Sequence, residues 1–253
     1  MIARDNWGWR ARIGMFIVGN EAVPEAEWWA MVPPDVSVHA ARVTAKSPWP
    51  LDGDLKRGAE QFAAMKLAAV VLGHTTSSLV GGKGWDEKMA AELGAIIGKD
   101  TFCTTNGLDM QAALKAQQIK RPFLIVPPWF NDVSVKAGFD YFGERGFPVA
   151  GYLRYDPGPG WRDIAPGDLY AKGMGFAQQV EPLHAQIRAA CPNDADGVLI
   201  GGTGFRCVGI LEKLEQDLQR PVVSANQASL WHCLRRSGVH ATIDGYGSLL
   251  RKP

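Results

Sequence analysis

The sequence predicts an α/β protein of two similar lobes, each a four-stranded parallel sheet flanked by helices, related by a pseudo-two-fold axis. Three observations carry this. Short apolar runs alternate with helical patterns along the whole chain, which is the signature of parallel sheets covered on both faces. The order of these segments repeats half-way along. The halves also echo one another in detail: "TTNGLDMQAAL" faces "SANQASLWHCL", and "VVLGHTTSS" faces "GVLIGGTGF". A chain of 253 residues fits one large domain or two intimately packed lobes.

The strands are expected at "RIGMFIVG", "VSVHAARV", "AAVVLGH" and "DTFCTT" in the first half. In the second half they are expected at "PFLIVPP", "FPVAGYLRY", "DGVLIGG" and "PVVSAN". Each is a short run rich in β-branched or aromatic residues, bounded by Gly, Pro, Asn or Asp. Between them, "DLKRGAEQFAAMKL", "WDEKMAAELGAIIG", "NGLDMQAALKAQQI", "GDLYAKGMGFAQQVEPLHAQIRAAC" and "ILEKLEQDLQ" place apolar residues at helical spacing. The first lobe is expected over residues 8–107 and 229–253, the second over 108–228.

Composition narrows the function classes. A formal net charge of +1 with scattered Lys and Arg argues against nucleic acid as a partner. No apolar stretch approaches the roughly 20 residues needed to span a bilayer. The basic-then-apolar N-terminus has an apolar core, Ile13 to Val18, too short for a signal peptide, so a cytoplasmic protein is expected. The cysteines Cys103, Cys191, Cys207 and Cys233 lie far apart without a C-x-x-C pair, which speaks for buried or free thiols rather than disulfides or a zinc knuckle.

Ligands of such sheets sit beyond the carboxyl ends of the strands, so strand-end loops are the place to look for chemistry. Three stand out: Gly19-Asn20-Glu21, His74-Thr75-Thr76-Ser77-Ser78 and Gly201-Gly202-Thr203-Gly204. Hydroxyls and free backbone N–H groups at a helix start suit an anion, and a small carboxylate or dicarboxylate would fit two such loops facing each other. The same residues also serve as plain helix caps. His74 is the acid/base candidate, because imidazole alone titrates near neutral pH unperturbed. A histidine at a strand end is equally what a structural residue looks like. His39, His184, His232 and His240 fall in strand or helix patterns and read as structural. No metal-ligand spacing and no G-x-S-x-G elbow is present. Trp28, Trp29, Trp85 and Trp231 read as core. Trp129, after "VPP", is placed to line the cleft, with Leu79 and Phe205 as apolar neighbours.

The chain resembles the aspartate/glutamate racemase superfamily, and within it the maleate isomerase and arylmalonate decarboxylase branch. The likeness rests on the order and spacing of "RIGMFIVGNEAVPEAEWWAMVPPDVSVHAARV", "AAVVLGHTTSSLVGG", "IVPPWFNDV", "DGVLIGGTGFRCVGILEKLE" and "RPVVSANQASLWHCLRRSGV". It implies two Rossmann-like lobes with the active site between them, and no cofactor or metal. Members typically use two cysteines, one per lobe. Here the first position holds His74 and the second Gly202, so both thiols are absent. The hydroxyl loop that grips a substrate carboxylate is retained as Thr75, Thr76 and Ser77. Asn20 matches a carboxylate-contacting asparagine of maleate isomerases, and Trp129 replaces the tyrosine of the family's "PY" motif.

Thiolate chemistry is therefore not expected. The leading expectation is a cofactor-independent lyase or isomerase acting on a small carboxylic acid by decarboxylation, elimination or proton transfer. His74 would act as general acid/base, and Asn20, Thr75, Thr76, Trp129, Gly202, Thr203 and Gly204 would bind substrate. One alternative is a hydrolase in which His74 activates water or the hydroxyl of Ser77. Another is a non-catalytic carboxylate-binding protein. Assembly into a homo-oligomer is a further possibility for a chain of this size.

Overall fold

A computed structural model describes residues 7–252. Residues 1–6 of the signal-like N-terminus and Pro253, the expected end of the first lobe, lie outside the described residues. The first sheet is built from β1 (Ala11–Val18), β2 (Val36–Val43), β3 (Ala69–Leu72) and β4 (Phe102–Thr105), in the spatial order β2-β1-β3-β4. The second contains β5 (Pro122–Val126), β6 (Gly151–Arg154), β7 (Gly197–Ile200) and β8 (Val222–Ser224), in the order β6-β5-β7-β8. Every pairing is parallel. The two orders are the same permutation, so the repeat read from the sequence is a repeat of topology.

All eight strands fall where they are expected, and the inner strands β1, β3, β5 and β7 bury both faces. Ile13, Met15 and Ile17 of β1, Ala69 and Val71 of β3, Phe123 and Ile125 of β5, and Val198 and Ile200 of β7 all enter one core shared by the two sheets. The intervening residues point the other way. Phe16, Val70 and Leu72 pack beneath α2 (Gly53–Ala63) and α4 (Trp85–Ile97), while Leu124, Val126 and Leu199 pack with α5 (Asn106–Ala116) and α6 (Asp132–Glu144). Alternation along these inner strands thus serves two apolar layers rather than one apolar and one wet face.

The expected helix over 167–191 is divided. It forms α7 (Pro166–Leu169), α8 (Met174–Ala177) and α9 (Val180–Ala190). Gly173 takes a left-handed φ of 93°, and Gln178 is extended (ψ 129°). Gln178 is held there by tertiary bonds: its Nε2 donates to the Arg206 carbonyl at 2.7 Å, and its Oε1 accepts from the Arg206 N–H at 3.0 Å. Local helical periodicity loses to this contact. The remaining helices of the described residues are α1 (Val23–Met31), α3 (Thr75–Val80), α10 (Leu211–Leu218), α11 (Ala225–Arg236) and the short α12 (Ser248–Arg251), with a 3-10 turn at Val208–Ile210. Trp28 is in the core, but Trp29 is 44% exposed, since the helix turns it outward. No helix among the described residues is long and apolar enough to cross a membrane.

Candidate active site

The loops after β1, β3 and β7 meet at the carboxyl ends of the two sheets. One hydroxyl ties the loops of the two lobes: Thr75 Oγ1 accepts from the Gly202 N–H at 3.2 Å and donates to Asn106 Oδ1 at 2.6 Å. Asn106 Nδ2 in turn donates to the Ala225 carbonyl at 2.9 Å and to Ser229 Oγ at 3.0 Å. Asn226, the pseudo-symmetric partner of Asn106, holds the opposite loop. Its Nδ2 donates to the Thr203 carbonyl at 2.9 Å and to Glu27 Oε2 at 2.7 Å. Each loop threonine is therefore positioned by an asparagine in the first turn of a helix, α5 or α11. Both helices are capped by a hydroxyl residue, Thr105 and Ser224. Neither asparagine was singled out in the sequence, although the echo of "TTNG" and "SANQ" was the signal.

His74 lies at the start of α3 with its ring stacked on Trp49, centroids 4.3 Å apart. Its Nδ1 is 2.8 Å from Ser77 Oγ, and that oxygen also accepts the Trp49 N–H at 3.0 Å. No other acceptor for the buried Ser77 hydroxyl is found among the described residues, so its proton is assigned to Nδ1 and the ring proton to Nε2, for which those residues offer no hydrogen bond. Burial pushes the His74 pKa down to about 3, so the imidazole is neutral at working pH.

Three residues expected to act at the site do not present themselves as expected. Ser77 is fully buried beneath the imidazole, so its hydroxyl is a prop for the ring and not a nucleophile open to substrate. The hydroxyl of Thr75 is spent on the inter-lobe tie and the residue is 2% exposed. Asn20 is exposed at the tip of the turn after β1 and makes no side-chain hydrogen bond. Thr76 is half-buried, which leaves it the accessible hydroxyl of the loop. Leu79 packs away from this site, among Met110, Leu124 and Val135, and Phe205 is fully buried core.

The glutamate beside Asn20 instead turns inward. Glu21 is 7% exposed, and burial raises its pKa to about 7 against the opposing pull of Thr203 and Arg42. Thr203 Oγ1 lies 3.5 Å from Oε2. The backbone of Gly204 lies against the carboxyl group, where a β-carbon would come within 2.8 Å of Glu21 Cδ and 3.0 Å of Tyr170 Cε2. Glycine at 204 is what lets the carboxyl, the tyrosine ring and the loop meet. Trp129 is half-buried and packs edge-on against Tyr170 at 4.9 Å and Phe205 at 5.8 Å. The Tyr170 hydroxyl is buried without a partner, and its pKa is raised by burial and by Glu21. In the sequence Glu21 is named within a strand-end loop but given no role, and Tyr170 is not singled out. Glu21 had a signal, a carboxylate at the end of a buried strand; Tyr170 had none, since it read as part of a helix.

Gly202 has a φ of 96°, and a β-carbon there would lie 2.9 Å from Pro127 Cγ. A side chain at this position is opposed both by backbone and by contact. Among the described residues no group of three or more metal-ligating side chains gathers. A cavity of about 820 Å³ lies elsewhere, between α3, the start of α4 and α6, with Leu79, Lys83, Tyr141 and Arg145 in its wall. None of the strand-end loop residues lines it.

The arylmalonate decarboxylase family model matches residues 173–250. A search of curated protein sequences finds no match. Among solved structures, the maleate isomerase Iso of Pseudomonas putida S16, as a cysteine-to-alanine variant with maleate, aligns at a TM-score of 0.82. The identity is 19%, over 96% of this chain and 98% of that one. Nocardia farcinica maleate cis-trans isomerase bound to TRIS aligns at 0.78, with 17% identity over 95% and 98%. Arylmalonate decarboxylase aligns at 0.73, with 21% identity over 96% and 100%. The two-lobed fold is that of these enzymes, and the resemblance drawn from the sequence is borne out.

Proposed function

We propose, from this shared fold and from the strand-end geometry, that the protein is a cofactor-independent lyase or isomerase acting on a small carboxylic acid between its lobes. The observation that carries the reading is the neutral imidazole of His74. It stands where the resemblance puts the first cysteine, and the Thr75–Gly202 hydrogen bond joins its loop to the glycine loop of the other lobe.

In this reading the substrate carboxylate meets Thr76 and the backbone of the 203–204 turn. Removal of a proton or of carbon dioxide from the adjacent carbon leaves an enediolate. His74 donates to it through Nε2–H as a neutral electrophile, a preorganised donor aimed at developing negative charge. A pKa of about 3 makes the ring a poor proton carrier at pH 7 and a good fixed donor. Trp129 and the ring of Tyr170 wall the pocket on the side away from His74's loop. The Ser77 route of the hydrolase alternative gains no support, because that hydroxyl is sealed from substrate.

The test is a thermal-shift screen of malonates, maleate and aryl-substituted acids, followed by proton NMR in D₂O on every hit. Loss of carbon dioxide, a shifted double bond or exchange of an α-proton is expected for at least one. His74→Ala is expected to lower that turnover about 100- to 1000-fold, the usual cost of one such donor, with the thermal shift retained. Turnover unchanged in His74→Ala would remove the histidine from the mechanism. Hits bound without chemistry would mark a binding protein instead.

A further inference from the structure

We propose that Glu21 is the acid/base of this cleft, the residue that exchanges a proton with the substrate carbon. The inference rests on the carboxylic-acid reading above and adds to it the group that moves the proton.

Two buried glutamates flank the glycine loop, and their surroundings differ. Glu27 is saturated: Oε1 accepts from the Cys207 N–H at 2.6 Å and the Val208 N–H at 3.0 Å, and Oε2 from Asn226. That is a structural carboxylate. Glu21 has one long contact, with Thr203 at 3.5 Å, and among the described residues no donor reaches its Oε1. A buried carboxyl group left so poorly satisfied is costly, and such groups gather where a ligand completes them.

Its neighbours also point to a ligand. The Tyr170 hydroxyl is a second buried polar group without a partner, on the segment between β6 and α9 that packs over the same glycine. The charged and titratable groups that face Glu21 are Arg42 from β2 and Tyr170. Arg42 does not neutralise the carboxyl directly, since its guanidinium binds the Glu21 carbonyl at 2.6 Å and pairs with the Glu25 carboxylate. Burial then leaves Glu21 close to half-ionised near pH 7, the condition for giving and taking protons at that pH. His74, held neutral with Nδ1 bound to Ser77, supplies a donor and does not shuttle.

In proton transfer, a Glu21 carboxylate oxygen takes the α-hydrogen as a proton, and the C–H electron pair remains on the substrate as the enediolate. The return step puts the proton back on carbon and regenerates the carboxylate. In decarboxylation, carbon dioxide departs without the C–C electron pair, and that pair takes the proton of the Glu21 carboxylic acid. Water then reprotonates the glutamate.

The experiment compares wild type with Glu21→Gln on the panel of malonates, maleate and aryl-substituted acids, following consumption and α-deuterium incorporation by NMR. A loss of about 100-fold or more in kcat, with the ligand-induced thermal shift preserved, is the expected result. Retention of turnover within threefold overturns the assignment of Glu21 and leaves the acid-enzyme reading intact. A wild type that processes none of the acids overturns that reading and this inference together. Thr203→Val supplies an independent readout. Removal of the hydroxyl that favours the carboxylate moves the rising limb of α-deuterium exchange from near pH 7 to higher pH. An unmoved limb contradicts the proposal.

Discussion

Glu21 shows how one buried side chain couples pH to stability. Its folded pKa of about 7 exceeds the ordinary 4.5, so the folded state holds the proton more tightly than the unfolded chain. The stability this represents is complete below about pH 4.5 and is lost as pH rises through 7, flattening above that. A shift of this size corresponds to ~3 kcal/mol at 1.36 kcal/mol per unit. Glu21→Gln, which keeps the shape and cannot ionise, is expected to match wild type near pH 4.5 and to exceed it by a few kcal/mol at pH 8. Urea melts at the two pH values measure this; a pH-independent difference would mean that the carboxyl is solvated. Gly202 carries the complementary lesson. Gly202→Cys would restore a thiol where the resemblance expects one, but at a φ of 96° and against Pro127. A loss of about 1–2 kcal/mol or more and no gain of maleate isomerisation are expected. A stable variant with new isomerase activity would show that the loop tolerates a side chain.

At the scale of elements, two helix starts hold the two strand-end loops. The first turns of α5 and α11 place Asn106 and Asn226 under Thr75 and Thr203, and Ser224 with Gln227 forms a reciprocal cap on α11. Asn226→Ala removes the donor to Glu27 and to the Thr203 carbonyl, leaving a buried carboxylate short of one partner. A cost of about 2–4 kcal/mol in unfolding free energy is expected, together with a loss of turnover larger than the loss of binding. An alanine variant within 0.5 kcal/mol of wild type (roughly the error of such comparisons) would show that the loop is held by backbone alone.

For the whole molecule, the common core matters more than the cleft. Inward residues of both sheets enter one cluster, so neither lobe can unfold and leave its neighbour intact. A single cooperative unfolding transition is expected by fluorescence and circular dichroism, and two separated transitions would contradict the shared core. The Thr75 hydroxyl is the polar counterpart of that core. Thr75→Val preserves shape but strands the Gly202 N–H and the Asn106 carbonyl oxygen, with an expected cost of about 2–4 kcal/mol in the same transition.

Much of the fold was legible because it is written in local periodicity. Strand–helix alternation and the repeated order reflect apolar residues that must reach two layers, and these patterns survive without knowledge of any contact. The strand-end loops were legible for the same reason, since a parallel sheet dictates where they converge. Position 178, where a predicted helix is broken by a bond to Arg206, shows the limit of that locality. The site's chemistry lies beyond it. Whether Ser77 faces substrate or props His74, and whether Asn20 or Glu21 turns inward, depends on partners far along the chain; Thr203 stands 182 residues from Glu21. Sequence by itself determined the two-lobed α/β architecture and the strand-end loops that converge between the lobes. Only the tertiary structure decided their protonation states and free valences, because a pKa responds to burial and distant neighbours that no local pattern encodes.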